Sequence, residues 1–244
     1  MENTDLCRHL PWDSEFFGRR IARLLPPTVE AESLQSALAW CQNENVECLY
    51  WLTDSGAATV RLAEANGFYL TDVRLTLECR LPAAGLAQSP LTPRPAHLND
   101  VPALRAIAQA SHHDSRFYAD ENFPLEMCNA FYATWIDRSV HGFDEAVFVV
   151  EINQQVAGYV TCSLDGSDGR IGLLAIAAAA QGQGAGMMLV GHAVAWLAAQ
   201  GARRVAVVTQ ARNCAAQRLY QRCGFLTSEV RLWYHQWFPV NESS

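Results

Sequence analysis

Residues 181–186 read Gln181-Gly182-Gln183-Gly184-Ala185-Gly186, and residues 213–225 carry Asn213-x-x-Ala216-x-x-x-Tyr220-x-x-x-Gly224-Phe225. The apolar run Leu173-Leu174-Ala175-Ile176 precedes the first stretch, and a periodic run to Gln200, closed by Gly201, follows it. A glycine-rich turn from strand to helix lets the backbone approach a ligand closely. The free amides of the helix's first turn point at that ligand, which favours a pyrophosphate. The same turn on its own is also an ordinary tight connection. A dinucleotide-binding fold would require parallel βαβ units and an acidic residue about 20 positions on. Here the preceding strands read as an antiparallel meander, and position 201 onward offers Gly-Ala-Arg-Arg, so that reading fails on context. In the second stretch, Asn213 is a good helix N-cap. Tyr220, two helical turns on, lies on the same face. Each residue alone has a structural explanation, but the two stretches together, separated by one helix and one strand, do not.

Working outward, the spacing predicts helices over 99–110, 125–140, 184–200 and 213–223. It predicts strands over 145–152, 156–163, 170–176, 204–209 and 228–236, with a hairpin at Asn153-Gln154-Gln155. Asn99-Asp100-Val101-Pro102 is a cap followed by an early proline, and Gly201 suits the C′ position. Four of the ten prolines fall within residues 82–95, which read as a linker because proline removes backbone donors and keeps its predecessor out of the helix. The expected organisation is an N-terminal α/β lobe over 1–81, the linker 82–95, a larger domain over 96–238 and a tail over 239–244. The N-terminal lobe reads helix 31–43, strand 46–52, helix 57–65 and strand 71–80. Its second half echoes the C-terminal motif. Aligned on Gly67-Phe68 and Gly224-Phe225, Ala63 falls opposite Tyr220 and Gly56 opposite Asn213. The lobe therefore reads as a degenerate half-repeat that lacks the polar residues.

With 244 residues, 50% hydrophobic, the chain is long enough for a packed core. A net charge of −7 disfavours nucleic-acid binding, which depends on basic residues and counterion release. All 18 basic residues are arginine. The absence of lysine excludes a Schiff-base lysine, a pyridoxal-phosphate enzyme and a Walker-type phosphate loop. Eight cysteines form no C-x-x-C pair and mostly sit in apolar runs, as buried free thiols in a reducing compartment do. No metal-ligand spacing is visible, so no metal is expected. No run of about 18 apolar residues suggests a membrane span. The acidic start, Met1-Glu2-Asn3-Thr4-Asp5, does not read as a signal or transit peptide, and a cytoplasmic protein without membrane partners is expected.

The run Leu173–Ile176 followed by Gln181-x-x-Gly184-x-Gly186 and by Asn213-x-x-Ala216-x-x-x-Tyr220-x-x-x-Gly224-Phe225 resembles the GCN5-related N-acetyltransferase superfamily over about residues 95–238. A narrower resemblance spans the chain. Trp12-Asp13-Ser14-Glu15-Phe16-Phe17-Gly18, Ser115-Arg116-Phe117, Phe131-Tyr132-x-x-Trp135-Ile136 and Arg170-Ile171-Gly172-Leu173-Leu174 are similar to the dTDP-fucosamine acetyltransferases. These transfer acetyl from acetyl-CoA to the 4-amino group of dTDP-4-amino-4,6-dideoxy-galactose. The resemblance implies an α/β fold with a mixed, splayed central sheet, plus a smaller N-terminal α/β lobe like a partial repeat. It implies acetyl-CoA as co-substrate and an amino-sugar nucleotide as acceptor.

By the same likeness, backbone groups of Leu174, Ala175 and Ile176 would hold pantetheine, with the Leu174 amide facing the oxyanion. Gln181, Gly182, Gln183, Gly184, Ala185 and Gly186 would hold the pyrophosphate, Asn213 would touch the pantetheine arm, and Tyr220 would be the general acid. Two departures stand out. Ala177–Ala180 lengthen the phosphate loop, and Leu219 stands where a basic residue is expected, leaving Arg218 or Arg222 to meet the phosphates. Ser115, Arg116, Phe117, Tyr118, Trp135 and Arg170 would line the acceptor side. Arg116 suits a nucleotide-sugar pyrophosphate because arginine binds phosphate bidentately.

The position where many protein-lysine acetylating relatives carry a glutamate is Arg170, so the base is open, with His112, His113 and Asp114 as candidates. Trp12, Phe16 and Phe17 read as inter-lobe core, and the aromatic run Trp233–Phe238 as material for a homodimer interface. The same chemistry on another amine, and a non-catalytic acyl-CoA-binding module, remain as alternative functions.

Overall fold

The computed structural model describes residues 6–81 and 91–239. In chain order the elements are β1 (Cys7–His9), α1 (Pro11–Phe17), β2 (Ile21–Leu24), α2 (Ala31–Asn43), β3 (Cys48–Thr53), α3 (Ala57–Ala65) and β4 (Tyr69–Arg80). There follow β5 (Arg94–Pro95), α4 (Val101–Gln109), α5 (Leu125–Arg138), β6 (Ala146–Ile152), β7 (Gln155–Asp165) and β8 (Asp168–Ile176). The chain ends with α6 (Ala185–Ala199), β9 (Arg204–Gln210), α7 (Cys214–Arg222) and β10 (Leu226–Trp237). Most of the linker expected over 82–95 lies outside the described residues. Its last two positions, Arg94 and Pro95, form β5 against Phe148 and Val149 of β6.

Two compact units emerge. The first holds Met1–Arg74, Ala119–Phe123 and Val230–Ser244, and the second holds Leu75–Tyr118 and Pro124–Glu229. The division falls inside β4 and inside β10, so each of these long strands contributes to both units.

In the first unit, β1 runs antiparallel to β2, β2 parallel to β3, and β3 antiparallel to the end of β10. Leu34, Ala37 and Cys41 are buried along α2 at the three- and four-residue spacing of one helical face. They pack with Leu24, Leu49, Trp51, Ala63, Phe68 and Tyr234. No element before residue 31 is anticipated by the sequence reading, yet α1 is there. Pro11 at its first turn and Gly18 in the left-handed conformation after it (φ 62°) are the signals that mark it. Phe17 is buried with its ring 4.5 Å from that of Phe123.

The aromatic run 233–238 is not an exposed patch. Tyr234 and His235 are buried. The Asp120 carboxylate accepts from His235 Nδ1 at 2.6 Å and Trp237 Nε1 at 2.9 Å, and Tyr69 donates its hydroxyl to the same group at 2.8 Å. The run is spent inside this unit and gives no support to an interface between copies.

In the second unit the strands lie in the order β9-β8-β7-β6-β5. The pairs are antiparallel except β8 with β9, which is parallel. The sheet is therefore mixed, as expected. The β6–β7 hairpin closes at Ile152 and Gln155 across Asn153 and Gln154, both at positive φ (53° and 62°), as a two-residue turn between twisted strands requires. Leu189, Val190, Ala193 and Leu197 of α6 are buried with Phe148, Val150, Val160, Ile171, Val205 and Val207.

α3 and α7 end alike, with Phe68 N–H donating to Ala63 O (3.1 Å) and Phe225 N–H to Tyr220 O (3.0 Å). Gly67 and Gly224 stand at φ 83° and 85°. All eight cysteines are free, and seven are buried, leaving Cys214 exposed. No described helix is long and apolar enough to cross a membrane.

Candidate active site

The partners β8 and β9 stay paired only from Asp168–Arg204 to Ile171–Val207, although both strands run on. Beyond Ile171 the strands part. The cause lies on the other side of β8, where the register with β7 slips. Val160 faces Leu174 and Cys162 faces Ile171, so Gly172 and Leu173 together oppose Thr161. One extra residue on a strand bends it and re-aims its backbone. Within the bulge the Leu173 N–H donates to Thr161 Oγ1 at 3.0 Å, and further on the Ala177 N–H donates to Ala157 O at 2.8 Å. Alternate residues of a strand face opposite edges. Leu173 and Ala177 turn toward β7, so Leu174 and Ile176 turn their amides and carbonyls to the edge that β9 has left.

After β8 the inserted Ala177–Ala180 form a short 3₁₀ turn over Ala178–Ala180, with Ala180 buried. Gln181, Gly182, Gln183 and Gly184 are exposed. Gly182 and Gly184 take φ of 76° and 84°, and a Cβ on either would meet nothing within 4 Å. These glycines serve backbone conformation and leave the amides at the start of α6 open. Gln183 Nε2 donates to Ala179 O at 3.0 Å and Gln181 Nε2 to Ile176 O at 3.4 Å, so both side chains brace the loop. Ala185 is buried, and a Cβ on Gly186 would lie 3.1 Å from Leu219 Cδ2. Leu219 thus uses the position of the expected basic residue for helix packing. Arg218 and Arg222 are exposed.

On α7, Asn213 caps the helix, its Oδ1 accepting from Ala216 N–H at 2.9 Å. Tyr220 is 4% exposed. Burial, helped by the nearby Cys223, pushes its phenol well above the ordinary tyrosine value. The structure therefore brings together on one side of the second unit the open edge of β8, the glycine-rich turn and α7.

The expected acceptor residues divide. Ser115 and Phe117 are buried, and Phe117 packs on Phe131 at 4.6 Å. The Arg116 guanidinium lies over the Phe117 ring at 4.3 Å. The Tyr118 hydroxyl donates to Asn129 Oδ1 at 2.7 Å, and Trp135 stacks with Tyr132 (6.2 Å, 11°). Arg170 is exposed on β8. Of the candidate bases, His112 has φ of 62°, a conformation that costs a non-glycine residue about 1–3 kcal/mol and clusters at functional sites. Its ring stacks on Tyr132 (4.6 Å) and its Nε2 lies 3.0 Å from the Tyr159 hydroxyl. Burial, with His113 adding to it, pushes His112 down to about 4, so it is neutral at pH 7 and weakly basic. His113 is exposed, its Nε2 3.2 Å from Gln109 O.

The sequence reading missed Asp144. It follows a π-helical turn, Ser139–Phe143, and precedes β6. Ser139 Oγ donates to its Oδ2 at 2.6 Å. Burial raises the Asp144 carboxyl above the usual carboxylate range, and the Ser139 and Thr161 side chains act against the rise. No motif spacing points to this residue, because the bulge that brings Thr161 and Gly172 beside it exists only in the folded sheet. No group of metal-ligating side chains is found among the described residues.

Comparison with known proteins agrees with this geometry. The acetyltransferase (GNAT) family model matches residues 104–225. The chain is 31% identical over 231 residues, 93% of its length, to the dTDP-fucosamine acetyltransferase of Escherichia coli O6:H1, of which it covers 96%. It is 24% identical over 186 residues, 75% of its length, to the spore coat polysaccharide biosynthesis protein SpsD of Bacillus subtilis, of which it covers 63%. Among solved structures, a GCN5-related N-acetyltransferase from Sphaerobacter thermophilus superposes with TM-score 0.66 at 14% identity, over 95% of this chain and 76% of that one. A tandem GNAT protein from the clavulanic acid biosynthesis pathway gives 0.59 at 10% identity, over 93% and 77%. At such identities these two likenesses concern the fold alone.

Proposed function

The chain belongs to the GNAT acetyltransferase family and is an acetyl-CoA-dependent N-acetyltransferase, and on that premise we propose that its acceptor is the 4-amino group of a dTDP-4-amino-4,6-dideoxy-hexose of galacto configuration. The observation that carries the acceptor is the 31% identity, over nearly the whole of both chains, to a dTDP-fucosamine acetyltransferase. A match confined to the cofactor-binding half would support only the chemistry. This one includes the N-terminal unit as well. Such an enzyme would work in the cytoplasm on precursors of surface polysaccharide.

Acetyl-CoA supplies an activated acyl group, a thioester whose carbonyl a neutral amine attacks. The residues present fit it. The amides of Gln181–Gly186 around the start of α6 suit a pyrophosphate, and Arg218, exposed on α7, can add charge. The outward backbone of Leu174 and Ile176, with Ala175 between them, offers strand-like hydrogen bonds to the pantetheine amides, and Asn213 retains its side-chain NH₂ as a donor. The Leu174 N–H meets the negative charge that grows on the carbonyl oxygen, an interaction stronger in the transition state than before it. Tyr220, kept protonated by its burial, gives its hydroxyl proton to the departing thiolate, and the proton the amine releases on becoming an amide passes to solvent, from which Tyr220 is reprotonated. On the acceptor side, Ser115, Arg116, Phe117, Tyr118, Trp135 and Arg170 remain the proposed lining. The two guanidinium groups serve the nucleotide's phosphates, while the buried Ser115 and Phe117 shape the loop.

The test is thiol release from acetyl-CoA with mass spectrometry of the product. The acceptors would be dTDP-4-amino-4,6-dideoxy-galactose, its gluco epimer, a polyamine and a lysine peptide. Selective turnover of the galacto sugar is expected. Transfer only to the other amines would overturn the acceptor while leaving the family assignment in place.

A further inference from the structure

The cluster of Ser139, Asp144, Thr161 and Leu173 ends one residue before the amide proposed to face the acyl carbonyl. Thr161 is fully buried. Its oxygen takes the Leu173 N–H at 3.0 Å, and Asp144 Oδ1 faces the same side of Gly172. Asp144 is in turn held by Ser139 Oγ at 2.6 Å, and Ser139 Oγ also lies 3.0 Å from the Trp135 carbonyl at the end of α5. Because Oγ1 accepts from the Leu173 N–H, the Thr161 proton points elsewhere, and the nearby Asp144 carboxylate, which can only accept, is suited to take it. Gly172 allows this contact, because a Cβ there would stand 2.7 Å from Thr161 Oγ1 and 3.8 Å from Asp144 Oδ1. The bulge is thus pinned by a side chain at the point where a regular ladder would use a backbone carbonyl.

We propose that Thr161, oriented by Asp144 and Ser139, is a positioning residue for the acyl-transfer step: by fixing the Leu173 amide toward β7 it aims the Leu174 amide into the space between β8 and β9. The inference rests on the proposed placement of acetyl-CoA against β8, but not on the identity of the acceptor. A donor that must meet developing charge works only if its direction is set beforehand. A misplacement of about 1 Å can cost on the order of 100-fold in rate. The alternative role for the cluster, Asp144 as the group that takes the amine's proton, makes opposite demands on the same two residues. In that role the charge of Asp144 matters and the hydroxyl of Thr161 does not.

The experiment compares Thr161→Val, Thr161→Ser and Asp144→Asn with the full-length wild type. One readout is the carbonyl stretching frequency of bound acetyl-CoA carrying ¹³C at the acetyl carbonyl, by infrared difference spectroscopy, which requires no acceptor. Wild type is expected to lower that frequency relative to free acetyl-CoA, since an amide donor polarises the carbonyl. Thr161→Val is expected to lose most of the shift while binding coenzyme A itself as before, and Thr161→Ser to restore it. Asp144→Asn, whose amide oxygen can still accept from Thr161 while its NH₂ donates to Ser139 Oγ, is expected to keep it. With whichever acceptor is turned over, Thr161→Val is expected to lower kcat by about 10- to 100-fold with little change in KM and an unaltered pH profile.

Retention of the full shift in Thr161→Val overturns the inference. So does a kcat loss in Asp144→Asn that exceeds the loss in Thr161→Val and alters the pH profile, which would make Asp144 the proton acceptor. Absence of any shift in the wild type overturns the cofactor placement itself. A failed acceptor panel with the shifts intact would count against the sugar acceptor and leave the positioning role standing.

Discussion

At Tyr220, burial and the neighbouring Cys223 hold the phenol proton well beyond the range in which tyrosine ordinarily ionises. A general acid must carry its proton, so raising its pKa extends its working range upward. The expected outcome is a kcat that shows no alkaline loss from this group through pH 10, where an unperturbed tyrosine would be about half ionised. A fall centred near 10 in the pH–kcat profile would contradict it. Tyr220→Phe is expected to lower kcat by about 10²- to 10⁴-fold with acetyl-CoA affinity, read by calorimetry, unchanged. Tyr220 was legible in the sequence as a candidate because it stands at fixed distances from Asn213 and from Gly224-Phe225. Asp144 was not, because its importance comes from a slipped register between β7 and β8, which leaves no periodic trace. Ser115 and Phe117, placed on the acceptor side by the family resemblance, are buried in their loop, since a loop next to a helix can spend its apolar side chains on that helix.

Among the elements, α6 carries left-handed glycines at both ends, Gly184 at φ 84° before it and Gly201 at φ 91° after it, each with open space where a Cβ would go. Alanine at either position is expected to cost about 1 kcal/mol or more of stability, from backbone strain alone, measured as a lower midpoint in urea. The two should separate in binding. Gly184→Ala is expected to weaken acetyl-CoA as well, since it displaces the exposed amides of the turn, whereas Gly201→Ala leaves affinity unchanged. Equal affinity for both would detach the turn from the cofactor. Long periodic elements such as α2, α3 and α6 were legible to within a residue or two of their ends, because repeated apolar positions report a buried face. The short β1, α1 and β2 were not, since three to seven residues hold too few repeats to define a period. Gly67-Phe68 and Gly224-Phe225 each close a helix by the same two backbone bonds.

For the molecule as a whole, the buried Asp120 couples stability to pH. Burial alone would raise its carboxyl, but hydrogen bonds from His235, Trp237 and Asn122 outweigh that and hold it well below the usual range. A depressed carboxyl contributes stability that is fully present above its unfolded value, about 3.9, and is lost as pH falls toward the folded value. The unfolding midpoint in urea, followed from pH 7 to pH 3, is therefore expected to hold level to about pH 4 and then decline. Asp120→Asn is expected to cost about 3 kcal/mol at pH 7 and to flatten the acid decline. An acid limb identical in the two proteins would remove Asp120 as its source.

The pattern of thiols has a practical side. Lysine is absent from the sequence, and of the eight cysteines only Cys214, the first residue of α7 beside Asn213, faces solvent. Covalent labelling of the native protein through sulfur is thereby directed to one address. A maleimide dye attached there would sit next to the turn into α7, where a change in its emission on adding acetyl-CoA would test the proposed cofactor site without any engineered cysteine.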